Sequence, residues 1–301
     1  MPIITFPFLD SVNTGVQLAY NTQFSTAPSI WQSFCADMTS AGSAEIYPRL
    51  NMLKGMREWI GDRQVQSLST ATFEIQNRTF EETIGVNREN LEDDKYGFLS
   101  GIAGQLGLNA KRLPDLLVAK LIKAGHTTLC YDGQNFFDTA HPGFDANGNA
   151  STFVNYDTDG SGALWYLIST SEITRGVIVQ RRRPFQVIPK FSMTDPQVFW
   201  NKEFEWGVDG RMNVGFGLPH FVYMSTSAMT LANIQAARTA MASLRRADGA
   251  PMGIIPNMLM TGTALYPTAR AFAENEFVPG VTQTPNTLRG LFAAQENPWL
   301  N

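Results

Sequence analysis

Cysteine, histidine and charged residues are scarce in this sequence. It contains two cysteines, Cys35 and Cys130, and three histidines in 301 residues. The cysteines form no CxxC pair, so the usual zinc-site and disulfide-scaffold patterns are both missing, and reduced thiols are expected. The glycine motifs that bind phosphates and dinucleotides are missing as well. We therefore expect no metal ion and no cofactor.

Long hydrophobic runs are also missing. No stretch approaches the length of a membrane-spanning helix, and the start, MPIITFPFLD, lacks the basic and apolar regions of a signal peptide. The net charge of −4 and the pI near 5.5 give no large positive field for binding nucleic acid. A content of 44% hydrophobic and 17% charged residues is that of a globular chain of one or two domains.

A strand with one polar face is predicted from Thr79 to Asn87. Its residues alternate, and one side carries Phe80, Glu82, Ile84 and Val86. An earlier strand ends near Ile75, and Gln76–Arg78 supply the bend, so we predict a hairpin. A hairpin this polar has little reason to enter its own core, and an isolated hairpin is marginal in water. It is therefore expected to rest on something other than its own subunit's core.

A long helical segment is predicted to follow the hairpin. The acidic residues Glu92–Asp94 suit the positive end of a helix dipole. Apolar residues then recur at helical spacing until Gly125, and Pro114 should kink or break the helix. The pattern predicts one long bent helix, or two helices joined near residues 109–114.

The segment before residue 55 gives mixed signals. Residues 11–24 are polar with scattered apolar positions, and Ser29–Met38 is predicted as a short helix with Trp31 and Phe34 on one side. Two interpretations remain open. The segment is either an ordinary first part of a domain or an arm that needs a neighbour's surface to offset its ordering entropy.

The second half alternates strands and helices. Residues 127–162 are predicted as a long exposed loop, and Ala163–Ser225 as an antiparallel sheet. A helix over Thr230–Ala247, a buried strand over Ile254–Met260 and a helix over Ala264–Asn275 follow, and the tail returns to a sheet. The basic run Arg181–Arg183 is interpreted as a solvated strand end, with contact to DNA or to acidic neighbours as the alternative.

Short motifs run in order from residue 56 to the C-terminal half. They are Arg57-Glu58-Trp59-Ile60-Gly61-Asp62-Arg63, Phe80-Glu81-Glu82-Thr83-Ile84, Arg88 with Glu92-Asp93-Asp94, Pro114-Asp115-Leu116-Leu117-Val118, Cys130-Tyr131-Asp132-Gly133-Gln134, Phe137-Asp138-Thr139, His141-Pro142, Trp165-Tyr166-Leu167, Val179-Gln180, Gly207-Val208-Asp209, Arg211, Val214-Gly215-Phe216-Gly217 and Ala236-Ala237-Arg238 with Met241. In this order they resemble the major head subunit family of Mu-like tailed phages.

The resemblance implies an α+β chain with the Hong Kong 97-type (HK97-like) major capsid protein fold. We expect an N-terminal arm over residues 1–55, an E-loop hairpin over 56–91, and a peripheral domain with spine helix and antiparallel sheet over 92–225. An axial domain and a return strand would fill 226–301. In such a fold the arm and the hairpin reach over neighbouring subunits.

The implied function is that of a major capsid protein, whose hexamers and pentamers build an icosahedral phage head around double-stranded DNA. The expected partners are further copies, a separate scaffolding protein, the portal, packaged DNA bound non-specifically and a decoration protein. Assembly in the host cytoplasm is expected, with no membrane and no enzymatic activity. The residues predicted to make inter-subunit contacts are Trp31, Phe34, Arg57, Glu58, Trp59, Asp62, Arg63, Phe80, Glu82 and Arg88.

Two alternatives compete with this function. His126 and His141 flank Cys130 in the sequence, and Asp132 and Asp138 lie nearby, which is the composition of a cysteine hydrolase with Cys130 and His141 as the reacting pair. No nucleophile elbow or oxyanion motif surrounds Cys130, so a buried cysteine and turn-bound histidines are the preferred interpretation. A minor structural protein of the virion is the second alternative.

Overall fold

The computed structural model describes residues 4–48, 72–93, 97–157, 160, 162–172, 174–281 and 283–301. The helices are α1 (Phe6–Thr26), α2 (Arg88–Glu92), α3 (Phe98–Lys123), α4 (Pro196–Asn201), α5 (Leu231–Ala242) and α6 (Tyr266–Glu274). The strands are β1 (Ala36–Thr39), β2 (Ala44–Pro48), β3 (Thr72–Gln76), β4 (Arg78–Asn87), β5 (His141–Phe144), β6 (Ala150–Phe153), β7 (Tyr156–Asp157), β8 (Trp165–Ile168), β9 (Val177–Lys190), β10 (Glu203–Phe216), β11 (Val222–Ser225), β12 (Met258–Thr261) and β13 (Ala293–Glu296).

The first sheet has four strands in the order β1-β9-β10-β4. Strands β9 and β10 are 14 residues each and run antiparallel. Every second residue of the first part of β10 is buried, as the period of two predicts: Phe204, Trp206 and Val208 pack against α1 and α3. The helix pair therefore covers one face of this sheet.

Helix α3 is a single helix of 26 residues with Pro114 inside it. This confirms the version of the prediction with one long helix. The predicted start at Glu92 is wrong, because Asn87 caps a separate short helix, α2, by accepting a hydrogen bond from the Glu89 N–H at 2.9 Å. Helix α3 begins only after Gly97, which has a left-handed backbone with φ 67°.

The N-terminal segment folds onto its own subunit. Helix α1 buries Leu9, Val16 and Tyr20 and packs along α3. This supports the interpretation of these residues as an ordinary first part of a domain, and contact of an N-terminal arm with a neighbour stays a prediction. The predicted helix over Ser29–Met38 is also wrong: a single 3-10 turn, Trp31–Ser33, leads into strand β1.

A five-stranded sheet in the order β13-β12-β8-β11-β7 forms the second layer, with α5 and α6 in the hydrophobic cluster on one side. All four residues of β8 are buried. Trp165 and Leu167 face the cluster of α5 and α6, whereas Tyr166 and Ile168 face a second hydrophobic cluster that includes Val118 and Ile122 of α3. The C-terminal strand β13 pairs with β12, so the predicted return of the tail to a sheet is confirmed.

The predicted single antiparallel sheet over Ala163–Ser225 is wrong. Strands β8 and β11 pair with each other and with β12 and β7, whereas β9 and β10 lie in the four-stranded sheet. The chain therefore passes between the two sheets more than once, and a domain division at residue 226 does not follow the sheets. Strand periodicity shows which faces are apolar but not which strand is the partner.

The predicted hairpin also has different partners. Strand β3 pairs antiparallel with β2, from Ala44↔Gln76 to Pro48↔Thr72. Strand β4 pairs with β10 along its whole length, because its apolar residues Ile84 and Val86 pack on the α1–α3 cluster of the same chain. The predicted two faces of β4 are confirmed, but β4 belongs to the subunit's own sheet and is not the second strand of a projecting hairpin.

Candidate assembly surfaces

Strands β2 and β3 form the described root of the predicted hairpin. These strands are joined through residues 49–71, which lie outside the described residues. The predicted contact residues Arg57, Glu58, Trp59, Asp62 and Arg63 all fall in that segment, so their placement stays a prediction. What the structure does describe is how the root of the hairpin is held.

Gln180 fastens the root to the four-stranded sheet. It lies on β9 with none of its surface exposed. Its Oε1 accepts a hydrogen bond from the Tyr47 hydroxyl of β2 at 2.9 Å. Its Nε2 donates to the Ile75 carbonyl of β3 at 3.0 Å and to Asn77 Oδ1 at 2.9 Å. One buried amide therefore holds both strands of the hairpin.

A second set of hydrogen bonds fixes the turn before β2. Glu45 Oε1 accepts from the backbone N–H groups of Ala41 and Gly42 at 2.6 and 3.0 Å and from the Ser40 hydroxyl at 3.0 Å. The backbone bonds from Gly42 and Ala41, followed by that from Ser40, lower the pKa of the Glu45 carboxyl. Asn77, between β3 and β4, donates from Nδ2 to Ser40 Oγ at 2.7 Å and so links this turn to the β3–β4 junction.

An apolar socket lies beside the polar contacts. Ile75 of β3 is 5% exposed and packs with Ala36 and Ile178. A Cβ added to Gly215 of β10 would stand 2.5 Å from Ile75 Cδ1, so glycine is what leaves room for this side chain. The hairpin root is thus held by a polar contact at Gln180 and by a steric fit at Gly215.

Of the remaining predicted residues, Phe80 and Glu82 lie on β4, an edge strand of the four-stranded sheet, and Arg88 begins α2. Glu82 is exposed and accepts hydrogen bonds from Asn109 Nδ2 of α3 at 2.9 and 3.1 Å. Arg88 pairs with Glu92 at 3.1 Å. Phe80 is half-buried and lines a cleft of about 350 Å³ between β4 and α3, together with Leu106, Leu113, Leu116, Phe185, Val208 and Trp299.

The structure contradicts the predicted role of Trp31 and Phe34. Their exposures are 4% and 2%, and both lie in the cluster that joins α3 to the two sheets. Asp115 of α3 holds the preceding turn by accepting from the Ile30 and Trp31 backbone N–H groups at 3.0 and 2.7 Å. Amphipathic spacing marks a residue as buried but does not tell an intramolecular core from an interface.

The Cys130–His141 pair lacks the arrangement of a nucleophile and its base. His141 is fully buried; its Nδ1 lies 2.7 Å from Asp132 Oδ2 and its Nε2 lies 3.2 Å from the Phe136 carbonyl oxygen. Both ring nitrogens therefore face acceptor oxygens, and neither has a lone pair directed at a thiol. The histidine ties the 130–137 turn to β5.

The environment of Asp132 is consistent with a structural ion pair. Burial by itself would raise the pKa of the Asp132 carboxyl, but the hydrogen bond and charge of His141, with the Gln134 backbone N–H, hold that pKa below its ordinary value. Among the described residues, no group of three or more His, Cys, Asp or Glu side chains is placed to hold a metal ion. None of the described helices is long and apolar enough to cross a membrane.

Gln180 was not singled out by the sequence as a contact residue of the hairpin. A glutamine in the apolar run Val177-Ile178-Val179 is the signal that could have found it, because a buried amide needs partners for its hydrogen-bonding groups. The exposed Phe199 and Trp200 of α4 were missed for a different reason: exposure of a large apolar side chain is visible only in the folded chain.

Comparison with known proteins gives one consistent result. A model of the family "Mu-like prophage major head subunit gpT" matches residues 9–300. The major capsid protein of Escherichia phage Mu is 30% identical over 295 residues, which cover 96% of this chain and 96% of that protein.

Solved structures agree with the sequence relatives. A chain from the procapsid of bacteriophage JBD30 superposes with a TM-score of 0.84 at 33% identity, covering 99% of this chain and 100% of that one. A chain from the JBD30 capsid decorated with minor capsid protein trimers gives a TM-score of 0.77 at 25% identity, with 92% of each chain covered.

Proposed function

This chain belongs to the Mu-like prophage major head subunit gpT family, and from that premise we propose that its copies form hexamers and pentamers of an icosahedral head that encloses double-stranded DNA. It is a major capsid protein of a tailed phage, and its α+β fold is the predicted HK97-like capsid fold. Assembly into hexamers and pentamers around DNA is the proposed part.

The observation that carries the proposal is the anchored root of the hairpin. Gln180 and the Ile75–Gly215 fit hold β2 and β3 on the four-stranded sheet. A preorganised segment loses less conformational entropy when it binds a neighbouring copy. We propose that Arg57, Glu58, Trp59, Asp62 and Arg63 make ion pairs and packing contacts there.

Described residues of β4 and α2 supplement these contacts. Glu82 is exposed, Arg88 is partly exposed, and Phe80 lines the cleft beside α3. We propose that a neighbouring copy covers this side of the sheet. The subunit interface then combines an apolar cleft with charged groups at its rim, which is the usual anatomy of a protein interface of roughly 1,600 Å².

The proposed function also implies partners other than further copies of the chain. A separate scaffolding protein would guide assembly in the host cytoplasm, a portal would occupy one vertex, and packaged DNA would be held without sequence specificity. The net charge of −4 suits a shell that encloses DNA without strong adhesion to it. Because the related JBD30 capsid is decorated with minor capsid protein trimers, a decoration protein is proposed for this head too. No catalytic role is proposed.

Trp59→Ala and Asp62→Ala test the function. We expect both variants to fold as the wild type does, shown by an unchanged circular dichroism spectrum and melting temperature, but to form no closed shells by electron microscopy. Asp10→Ala, which removes an exposed carboxylate from α1, is the matched control and should assemble normally. Well-formed heads from both Trp59→Ala and Asp62→Ala would contradict the proposed contact.

A further inference from the structure

A cleft with an apolar lining and a basic rim lies between α1, α3 and β9. Its volume is about 390 Å³. It is lined by the buried side chains of Trp31, Pro114 and Met212 and by the half-buried rings of Phe24 and Phe185. We call it the basic cleft. An apolar lining of this volume with a few charged groups at its edge is the usual composition of a binding site.

The rim is formed by the run Arg181–Arg183 of β9 and by Lys111 of α3, all of which line the cleft. Two of the three arginines are paired within the chain: Asp37 of β1 pairs with the first arginine of the run, and Asp209 of β10 pairs with the third. The cations that remain for a ligand are therefore Arg182 and Lys111.

Arg182 and Lys111 are held by contacts that do not neutralise them. Arg182 Nη1 donates to the Ser40 carbonyl at 3.1 Å, and Lys111 Nζ lies 5.6 Å from the centroid of the Phe24 ring. Over the part of the chain that the structure describes, neither cation has a carboxylate within salt-bridge distance. Both positive charges can therefore bind an anion at the cleft.

Two further carboxylates of this region are already engaged elsewhere. Glu45 accepts from the Ser40 hydroxyl and from two backbone N–H groups of the preceding turn. Asp115 is 3% exposed and accepts from the backbone N–H groups of Ile30 and Trp31. An anion that binds Arg182 therefore displaces no ion pair of the chain.

Pro114 adds a hydrogen-bond acceptor to the basic cleft. Proline has no backbone N–H, so the Ala110 carbonyl cannot receive the hydrogen bond that the residue four positions later in a helix usually donates. Both residues line the cleft. The backbone of α3 therefore offers an acceptor there to a ligand that carries an N–H group.

These groups together favour an acidic peptide segment over nucleic acid. A large apolar side chain of the peptide can fill the lining, its carboxylates can pair with Arg182 and Lys111, and a backbone N–H can donate to the Ala110 carbonyl. The backbone of a DNA duplex has phosphates but neither an N–H donor nor an apolar side chain. Binding to a duplex also relies on many cations that neutralise successive phosphates, whereas two of the arginines here are already paired.

We propose that the basic cleft binds an acidic segment of the scaffolding protein, with a large apolar side chain between Trp31 and Phe185 and carboxylates on Arg182 and Lys111. The inference rests on the proposed function, which includes that partner. The chain has a net charge of −4, so an acidic segment is attracted by this cleft and not by the subunit as a whole. One apolar anchor with two exposed ion pairs makes a contact that is reversible and sensitive to salt.

Binding of a labelled peptide to unassembled subunits tests the charged half of the cleft. Fluorescence polarisation with the peptide Glu-Glu-Trp-Leu-Glu-Glu should show saturable binding that weakens as salt is added. The double variant Lys111→Gln with Arg182→Gln should bind about tenfold more weakly, because both ion pairs are lost. The matched control is Lys120→Gln with Arg289→Gln, which removes two exposed cations outside the cleft and should keep the wild-type affinity.

Thr39→Trp tests the apolar half of the cleft without a change of charge. Thr39 is exposed on β1 and lines the cleft, so an indole there should occupy the space and abolish peptide binding at an unchanged melting temperature. Thr152→Trp, at an exposed position of β6 outside the cleft, should bind as the wild type does. A peptide with alanine in place of its tryptophan and leucine should bind at least about tenfold more weakly.

Co-expression with the scaffolding protein of the same phage connects the cleft to that partner. Precursor shells of Lys111→Gln with Arg182→Gln should lose the scaffolding protein on sedimentation, whereas those of Lys120→Gln with Arg289→Gln should retain it. Equal retention in both, or wild-type peptide affinity in the first variant, would overturn the proposal. So would equal binding of the peptide Lys-Lys-Trp-Leu-Lys-Lys.

Two other results would assign the cleft to a different occupant and overturn the proposal as well. If a short DNA duplex binds with the same dependence on Arg182 and Lys111 and displaces the peptide, the cleft belongs to DNA. If the peptide blocks shell assembly in the absence of scaffolding protein, a neighbouring copy occupies the cleft.

Failure of this proposal is separable from failure of the proposed function. Shell formation by the wild-type chain reports on the function, and the peptide affinity of unassembled subunits reports on the basic cleft. Wild-type shells together with subunits that do not bind the acidic peptide would refute only the cleft.

Discussion

Replacement of Gln180 by leucine is the sharpest test of how the hairpin is held. Leucine keeps most of the buried volume but removes the acceptor for Tyr47 and the two donors for Ile75 and Asn77. The position is completely enclosed, so water cannot replace the lost partners without disrupting the packing around Ile178 and Ile75.

The expected cost follows from these three hydrogen bonds. Each contributes about 1 kcal/mol net, and a buried partner left unsatisfied adds to the loss. Gln180→Leu should therefore weaken docking of the hairpin root by about 3 kcal/mol. This corresponds to roughly a hundredfold increase in the population with an undocked root. The root then loses its fixed direction, and assembly should fail although α3 and both sheets remain folded.

Hydrogen exchange locates the effect. Amide protection over β2 and β3 should fall by about two orders of magnitude in Gln180→Leu, while protection over β10 should change little. Electron microscopy should show few closed shells. Gln186→Leu provides the matched control, because Gln186 lies on the same strand with its side chain exposed and its replacement should leave both measurements unchanged.

Two outcomes would refute this account of the root. The first is wild-type protection over β2 and β3 in Gln180→Leu. The second is uniform loss of protection across the whole chain, which would mean that Gln180 supports global stability and not the direction of the hairpin.

Two further predictions concern stability. Gly107→Ala should lower the free energy of unfolding by several kcal/mol in urea titrations, because a Cβ there would stand 2.3 Å from the Tyr20 carbonyl oxygen and push α1 away from α3. The control is Gly101→Ala, which lies in open space on the same helix and should raise the free energy of unfolding by up to about 1 kcal/mol. Equal effects of the two substitutions would contradict the close contact between the helices. Asp132→Asn should cost about 3 kcal/mol at neutral pH, since it breaks a buried pair with His141. The folded-state pKa of Asp132 is lowered, so the wild-type advantage is complete above about pH 4 and disappears as pH falls through that lowered pKa; a difference independent of pH would refute the ion pair.

Secondary structure could be predicted from the sequence where the residues of a single element are sufficient to specify it. The period of two in β4 and the helix α5 both follow from residues within the element itself. Thr230 caps α5 by accepting a hydrogen bond from the Asn233 N–H at 3.2 Å. The family, and with it the capsid function, was predicted from ordered motifs and is confirmed by the comparisons.

Pairing and partner choice could not be predicted in the same way. The faces of β3 and β4 were visible in the sequence, but β3 pairs with β2 and β4 with β10. The same limit misplaced β8 and β11, and it made Trp31 and Phe34 look like contact residues when they fill their own core. An apolar stripe has the same composition whether its own chain or a neighbour covers it.

The sequence by itself determined the two faces of β4, the helix α5 and the family of this protein, because periodicity and ordered motifs are properties of the residues in line. Only the tertiary structure decided where the hairpin is rooted, that a fully buried glutamine holds both of its strands, and that Phe199 and Trp200 remain uncovered. These features depend on which segments, distant in sequence, pack together, because a residue is buried or exposed only through its tertiary contacts.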